Sequence, residues 1–391
     1  MSDAVGLYVH LPWCVRKCPY CDFNSHVRAS VLPATRYVDA LFADLERELR
    51  DWSAPRVASV FIGGGTPSLF EATAIARLLD GIAARVTLAA DCEITLEANP
   101  GSSEAARFSG YRAAGVNRLS LGIQSFDDPA LAALGRVHDG AAAHAAIAAA
   151  RAAGFDNLNL DLMFGLPGVA VDATLLDLAQ AIAHGPEHIS WYQLTLEEGT
   201  AFARKPPPLP AHDDIAEAHD AGLARLAAAG YRQYEVSAHA RAGRAARHNL
   251  NYWQFGDYLG IGAGAHGKQT VDAGLRRRVR VRSPERYMAA ALSGDAIDEE
   301  TYTQGAACVL EYALNALRLS DGFLVADFER RTGLPATHPA FAAPLAAAFA
   351  RGWLVQEGER IAPTAVGFRF LTDLQLLYVD AEPAAATPAI A

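Results

Sequence analysis

Short apolar strand-like segments alternate with longer amphipathic segments from residue 7 to about residue 230. Between the first two strand-like segments, Tyr37, Leu41, Leu45 and Leu49 recur every four residues and predict one apolar helix face. Repeated strand–helix units predict a parallel sheet, either an open doubly wound sheet or a complete or partial barrel. The six strand candidates are LYVHLPW (7–13), VASVFIG (57–63), CEITLEA (92–98), RLSLGIQ (118–124), LNLDLMF (158–164) and HISWYQL (188–194).

Three of the chain's five cysteines lie directly after the first predicted strand, in CVRKCPYC at residues 14–21. Soft thiolates such as those of Cys14, Cys18 and Cys21 bind zinc, copper(I) or iron–sulfur clusters. A zinc site with three cysteines and one histidine, His10 or His26, is one alternative. Three cysteines can instead hold a cubane cluster whose fourth iron has no protein ligand, so that a bidentate small molecule can bind it.

Glycine and polar residues stand at or near the ends of the next four predicted strands. Functional sites of parallel β/α folds lie at the carboxyl ends of the strands, so we expect these residues on one rim with the cysteines. The glycines would expose backbone N–H groups there, and the carboxylates and the amide would hold a small polar ligand. The residues are Gly64, Gly65 and Thr66 in GGGTPS, Glu97 in LEANP, Gln124 in GIQSF and Asp161 in NLDLMFGLP.

The composition restricts the class of function. A formal net charge of −10 argues against a broad nucleic-acid-binding surface. No apolar run reaches the roughly 18–20 residues of a transmembrane helix, and the N-terminus lacks the basic region and cleavage site of a signal peptide. A cytoplasmic location is therefore expected, where clustered cysteines hold metal rather than disulfides. Cys92 and Cys308 lie in apolar contexts and are expected to be buried, inert thiols.

The strand–helix pattern ends at about residue 236, and we expect four regions in the chain. They are a partial barrel over 1–235, a connecting segment over 236–295, a C-terminal domain over 296–380 and a disordered tail over 381–391. Helical segments followed by the hairpin-like WLVQEGERIAPT predict a small winged-helix-like C-terminal domain. Its segment PAFAAPLAAAFAR contains a single arginine, too little positive charge to hold DNA phosphates.

The segment CVRKCPYC fits the CxxxCxxC signature of the radical S-adenosylmethionine (SAM) superfamily. With GGGTPS, LEANP, GIQSF, LGRVH and DLMFGLPG, the stretch YVHLPWCVRKCPYCDFNSH resembles one branch of it, from about residue 6 to about residue 375. That branch contains the oxygen-independent coproporphyrinogen III oxidases and their heme-chaperone relatives. The resemblance implies an α/β fold with an incomplete (β/α)6 barrel and a smaller helical, winged-helix-like C-terminal domain.

The resemblance also implies a [4Fe-4S] cluster on Cys14, Cys18 and Cys21, whose unique iron is chelated by the methionyl amine and carboxylate of SAM. Taken alone, Arg136 also suits a solvated helix end, and Tyr8 suits core packing. The positions that match cofactor-contacting residues of the family are Tyr8, Tyr20, Gly64, Gly65, Thr66, Glu97, Gln124, Arg136 and Asp161.

Two features distinguish the branches of this family. The oxidases have a further cysteine two residues after the third cluster ligand, where this chain has Phe23, and a longer extension before the first strand. The hexapeptide HNLNYW (248–253) matches the HNxxYW motif that the resemblance associates with heme, which makes His248 the candidate axial ligand. Without that resemblance, a histidine beside aromatic residues is more often a packing residue. His266 in GIGAGAHGK is a further candidate.

The resemblance therefore favours a heme chaperone that binds heme, the cluster and SAM. It would transfer heme to an acceptor apoprotein such as a membrane-bound respiratory cytochrome, which requires no catalytic turnover. The alternative is an oxygen-independent coproporphyrinogen III dehydrogenase, a radical enzyme of porphyrin biosynthesis.

The segment LRRRVRVRSPER (275–286) alternates arginine and valine, which predicts Arg278, Arg280 and Arg282 on one face of a strand. A solvated outer face is the expectation for these guanidinium groups. The alternative is that they bind heme propionates or an anionic partner, because arginine binds carboxylates with two parallel hydrogen bonds.

Overall fold

The structure is a computed structural model of the 391-residue chain and describes residues 4–28, 31–272 and 274–379. The tail over 381–391, for which we expect disorder, lies outside these residues. One large sheet with helices packed on it and a smaller C-terminal unit make up the described part.

The strands are numbered in chain order. The first eight are β1 Val5–Leu11, β2 Trp13–Cys14, β3 His26–Val27, β4 Arg56–Gly64, β5 Thr87–Ala98, β6 Arg118–Gln124, β7 Leu158–Phe164 and β8 His188–Gln193. The later ones are β9 Arg232–Glu235, β10 Ala238–Ala240, β11 Tyr258–Ile261, β12 His266–Val271, β13 Gly274–Arg280, β14 Ile297–Thr303, β15 Phe323–Leu324, β16 Leu354–Glu357 and β17 Arg360–Pro363.

The α-helices are numbered in the same way. The first eight are α1 Ala34–Glu48, α2 Ala72–Ala83, α3 Ser102–Ala105, α4 Phe108–Ala113, α5 Asp128–Ala133, α6 Gly140–Ala152, α7 Val171–Ala183 and α8 Ala201–Arg204. The later ones are α9 His212–Ala228, α10 Arg247–Trp253, α11 Pro284–Ser293, α12 Ala306–Ala316, α13 Val325–Thr332, α14 Pro339–Ala350, α15 Ala365–Arg369 and α16 Leu371–Val379. Short 3₁₀ turns occupy Leu49–Asp51 and Pro67–Leu69.

Within the described residues, twelve strands form one sheet in the order β14-β13-β12-β11-β1-β4-β5-β6-β7-β8-β10-β9. The neighbours from β11 to β8 are parallel, and all six predicted strands are present as β1 and β4 to β8. Alternate strand residues such as Leu7 and Leu119 are fully buried in one core with Tyr37 and Leu41 of α1. In the described part the sheet stays open between β14 and β9, which confirms the predicted incomplete (β/α)6 barrel.

The segment 236–295, expected to be a connection, extends this sheet. Strand β11 pairs in parallel with β1, and β12 and β13 continue the sheet with antiparallel pairing. Strand β14, which the sequence analysis placed in the C-terminal domain, pairs with β13 and belongs to the large sheet.

The alternating arginines at the end of β13 do not form the solvated face that the sequence analysis expected. Arg280 is 1% exposed and donates to Asp44 at 2.8 Å, and Arg278 lies 3.1 Å from Glu48. Both carboxylates belong to α1. Only the third member, Arg282, is exposed. The expectation was wrong because alternation identifies the residues that share a strand face but not the helix that covers it.

The C-terminal unit contains α12, β15, α13, α14 and the hairpin β16–β17, followed by α15 and α16. Strand β15 pairs with β17, so the hairpin becomes a three-stranded sheet beside the helices. A second apolar core, in which the rings of Phe328 and Phe341 stack at 3.8 Å, lies in this unit and also includes Phe255 and Leu275 of the preceding segment. This arrangement confirms the predicted winged-helix-like fold.

Candidate functional site

A cavity of about 390 Å³ opens at the carboxyl ends of the parallel strands. Most of the site residues predicted from the sequence line this rim cavity, whereas Tyr8 and His248 do not. The predicted residues at the ends of the strands therefore lie around one cavity, as expected. The predicted residues around the cavity are Cys14, Cys18, Tyr20, Cys21, Gly64, Gly65, Thr66, Glu97, Gln124, Arg136 and Asp161.

The cysteine loop leaves the sheet after β1 and is closed at its base by the pairing of β2 with β3. Within the loop, the backbone N–H of Cys21 donates to the carbonyl of Cys18 at 3.2 Å. Cys14 is buried at the base, while Cys18 and Cys21 are half-buried. Burial raises the pKa of the Cys14 and Cys21 thiols, so positive charge or a metal is needed to stabilise their thiolates.

A chain of hydrogen bonds joins two of the three sulfurs. The Thr66 hydroxyl donates to Cys14 Sγ at 3.5 Å and accepts from Asn99 Nδ2 at 3.0 Å. Arg136 then donates to Asn99 Oδ1 at 2.5 Å and to Cys18 Sγ at 3.8 Å. Hydrogen bonds to sulfur stabilise thiolate ligands, so these donors suit bound metal.

The glycine loop after β4 lies against the cysteine loop at backbone distance. The N–H of Gly65 donates to Leu11 O at 2.9 Å, and a Cβ at this position would lie 2.6 Å from Trp13 O. Gly64 has φ +115°, and a Cβ there would lie 2.6 Å from the His10 ring. Both positions therefore require glycine for the approach of the two loops.

Two half-buried acidic residues, Glu97 and Asp161, form the floor of the rim cavity. Glu97 accepts the N–H of Gly64 at 3.1 Å, and burial, together with the negative charge of Asp161, raises its pKa to about 8. Burial also raises the pKa of Asp161, which accepts hydrogen bonds from Asn159 at 2.7 Å and Ser120 at 3.0 Å. A cationic ligand group would favour the charged forms, so this floor suits a ligand with positive charge.

Two further polar residues of the rim were missed in the sequence analysis. The Tyr192 hydroxyl at the end of β8 donates to Gln124 Oε1 at 2.7 Å, and Gln124 has φ +68°. Asn99, directly after β5, joins Arg136 to Thr66. The strand-end rule applied to the sixth strand would have found Tyr192, and Asn99 lies within the quoted segment LEANP.

Tyr8 and His248 lie deeper than the rim cavity. The Tyr8 hydroxyl is 2.8 Å from His10 Nδ1. His248 on α10 is 4% exposed, and its ring stacks on Phe61 at 4.3 Å and meets the Tyr252 ring edge-on at 4.3 Å. Burial lowers the pKa of His248 to about 3, so its imidazole is neutral at physiological pH.

The histidines of the zinc alternative are engaged elsewhere. His10 Nε2 donates to the carbonyl oxygen of Asn24 at 2.9 Å, and His26 Nε2 donates to its side-chain oxygen at 3.2 Å. Neither imidazole is among the residues around the rim cavity. In the part of the chain that the structure describes, no three His, Cys, Asp or Glu side chains are grouped to hold one metal ion.

Family models and close relatives identify the family. The model of the radical SAM superfamily matches residues 8–180, and that of the HemN C-terminal domain matches residues 309–370. Over 97% of its length the chain is 44% identical to the heme chaperone HemW of Haemophilus influenzae, and over 96% it is 43% identical to that of Escherichia coli. Each alignment covers 98% of the relative. The chain belongs to the HemW family of the radical SAM superfamily.

A solved structure has the same fold as this HemW-family chain. Coproporphyrinogen III oxidase (HemN) from Escherichia coli aligns with a TM-score of 0.80 over 96% of this chain and 90% of that one. The two sequences are 22% identical, so this likeness supports the fold alone. Among the helices of the described residues, none is both long and apolar enough to cross a bilayer.

Proposed function

We propose that this protein is a heme chaperone that binds heme, a [4Fe-4S] cluster and SAM and delivers heme to an acceptor apoprotein. The observation that carries the proposal is the 43–44% identity, along nearly the whole chain, to proteins named heme chaperone HemW. The motif HNLNYW and the Phe23 that replaces the oxidases' further cysteine support the same branch. A respiratory cytochrome in a membrane is a candidate acceptor, and the cytoplasm is the expected location.

The rim cavity is the proposed site of the cluster and SAM. Cys14, Cys18 and Cys21 would hold the cluster, since they surround one cavity and two of their sulfurs accept hydrogen bonds. When bound, the cluster supplies an open iron for the amine and carboxylate of SAM and a source of one electron. The residues proposed to contact SAM are Tyr8, which lies below the cavity, and eight that line it, Tyr20, Gly64, Gly65, Thr66, Glu97, Gln124, Arg136 and Asp161.

Heme would bind at α10 with His248 as its axial ligand. The neutral imidazole suits iron, and Tyr252 and Trp253 offer flat apolar rings. Because His248 is 4% exposed and the cavity beside Tyr252 and Trp253 measures about 190 Å³, α10 must move before a porphyrin enters. The helix has only seven residues, which favours such opening, and its first N–H, that of Arg247, must then leave the Glu93 carboxylate that accepts it at 2.9 Å.

A heme titration tests the ligand. We expect His248→Ala to shift the Soret band and to weaken heme binding about tenfold or more, because an iron–nitrogen bond is lost. His239→Ala is the matched control, since His239 is also buried without a hydrogen-bond partner for its ring nitrogens. A variant His248→Ala with the spectrum of the wild type contradicts the assignment.

The alternative function is oxygen-independent coproporphyrinogen III dehydrogenation, which the retained cysteine site and the HemN-like fold support. Anaerobic protein with about four irons and four sulfides per chain, SAM and a reductant should form no protoporphyrinogen IX from coproporphyrinogen III. Sustained formation of that product replaces the chaperone proposal with the enzyme. One zinc per chain without sulfide removes the cluster from both functions.

A further inference from the structure

A cationic side chain, that of Arg118, lies inside the barrel with its Nε buried and not hydrogen-bonded. Arg118 lies on β6 and is 2% exposed. Among the described residues, its guanidinium takes part in no hydrogen bond and no ion pair. A buried N–H donor of a charged group that makes no hydrogen bond is unfavourable, so Arg118 is a candidate for binding an anion.

The sheet register places Arg118 in a layer directly below the rim. Tyr8 pairs with Phe61, Phe61 with Thr95, and Thr95 with Arg118, so all four side chains face the same side of the sheet. His248 stacks on Phe61 from that side. Thr95 and His248 of this layer are at most 4% exposed. Thr95 Oγ1 and His248 Nδ1 are likewise buried without a hydrogen-bond partner.

The carboxyl groups around this layer accept hydrogen bonds from donors other than Arg118. Glu93 and Glu97 flank Thr95 on the same face of β5, and each accepts a backbone N–H, at 2.9 Å and 3.1 Å respectively. Asp161 on β7 accepts from two side chains. Arg118 attracts the Glu97 and Asp161 carboxyl groups electrostatically, but burial favours their neutral forms, and neither forms a hydrogen bond or ion pair with its guanidinium.

We propose that Arg118 and Thr95 form a carboxylate-binding subsite in the barrel lumen beside His248. The guanidinium offers two parallel N–H donors, and the Thr95 hydroxyl offers a third, which together match the oxygens of one carboxylate. The carboxylate has two sources, a heme propionate or a free small carboxylate. The first source rests on the proposed heme function, because it places the propionate near the candidate axial ligand.

Heme and its dimethyl ester separate the propionate from the rest of the porphyrin. We would titrate both into cluster-loaded wild type, Arg118→Met and Arg118→Lys under anaerobic conditions. Wild type should prefer heme over the ester by about tenfold or more, Arg118→Met should bind both equally, and Arg118→Lys should keep part of the preference. Arg241→Met is the control, because Arg241 is only half-buried and stacks on Tyr231 at 4.5 Å.

Formate tests the second source on the same proteins at constant ionic strength. A rise in the melting temperature of wild type with formate that Arg118→Met lacks assigns the subsite to a free carboxylate, even if the heme preference is unchanged. Without formate or heme, Arg118→Met should unfold at a higher urea concentration than wild type, since it replaces a buried donor that makes no hydrogen bond with an apolar chain.

Together, the heme and formate experiments distinguish failure of the carboxylate subsite from failure of the proposed heme function. An Arg118→Met protein that keeps both the wild-type preference for heme and the wild-type response to formate overturns the subsite. If wild type binds no heme at all, the heme proposal falls, and the formate arm alone decides the subsite. If neither ligand binds in an Arg118-dependent way, the subsite is refuted.

Discussion

Replacing Glu97 by Gln removes a carboxyl group whose pKa the folded protein raises to about 8 by burial and by the nearby charge of Asp161. In the unfolded chain this group titrates near its ordinary value of 4.5. Between these two pH values the folded protein holds a proton that the unfolded chain has lost. Its contribution to stability is therefore fully present below pH 4.5 and is lost as the pH rises through about 8.

The magnitude follows from the difference in bound protons. One proton held by the folded state alone changes the free energy of unfolding by about 1.4 kcal/mol per pH unit. From pH 5.5 to 7.5, wild type should therefore lose about 2 to 3 kcal/mol more stability than Glu97→Gln. The glutamine keeps an oxygen that can accept the N–H of Gly64, so the variant removes the titratable proton and keeps the packing.

Urea unfolding of the cluster-free protein without SAM, at pH 5.5, 6.5 and 7.5, measures this difference. Glu93→Gln is the matched control, because Glu93 lies on the same face of β5 and accepts a backbone N–H at 2.9 Å. Parallel pH dependences for wild type and Glu97→Gln would refute the reasoning. Cationic SAM should also bind more tightly as the pH rises towards 8, and Glu97→Gln should flatten that dependence.

Two substitutions test the packing that supports the site. Gly64→Ala should destabilise the protein by about 2 kcal/mol or more in urea unfolding, because the new Cβ clashes with the His10 ring. The control is Gly115→Ala, at φ +106° but facing open space, which should cost only the backbone strain. Equal losses of stability in the two variants would exclude the clash with His10. Asp44→Asn should cost about 3 to 5 kcal/mol because it leaves Arg280 buried with one fewer charge partner. The same change at half-exposed Asp39, which pairs with Arg77, should cost under about 1 kcal/mol; similar losses at both would contradict the assignment.

Local patterns were sufficient for the six parallel strands and most of the rim. Each strand is a short apolar run. Because sites of parallel sheets lie at the carboxyl ends of the strands, this pattern alone places Gly64, Glu97, Gln124 and Asp161 together, as observed. The burial of Arg280 could not be predicted in this way, because its carboxylate partner in α1 lies 236 positions earlier in the chain. The parallel pairing of β11 with β1 joins segments about 250 residues apart, and neither segment alone specifies it.

The two faces of the barrel strands have opposite chemistry, and this difference bears on how ligands act on the fold. On β6, Leu119 and Leu121 are fully buried in the apolar core, whereas Arg118, Ser120 and Gln124 face the lumen. Barrels are usually filled with layers of branched apolar side chains, which stabilise them. In a barrel with a polar lumen, bound ligands must supply part of that stabilisation. Each ligand that binds only the folded state adds RT ln(1 + [L]/Kd), so cluster, SAM and a carboxylate should raise stability together, and a ligand-free chain should be the least stable form.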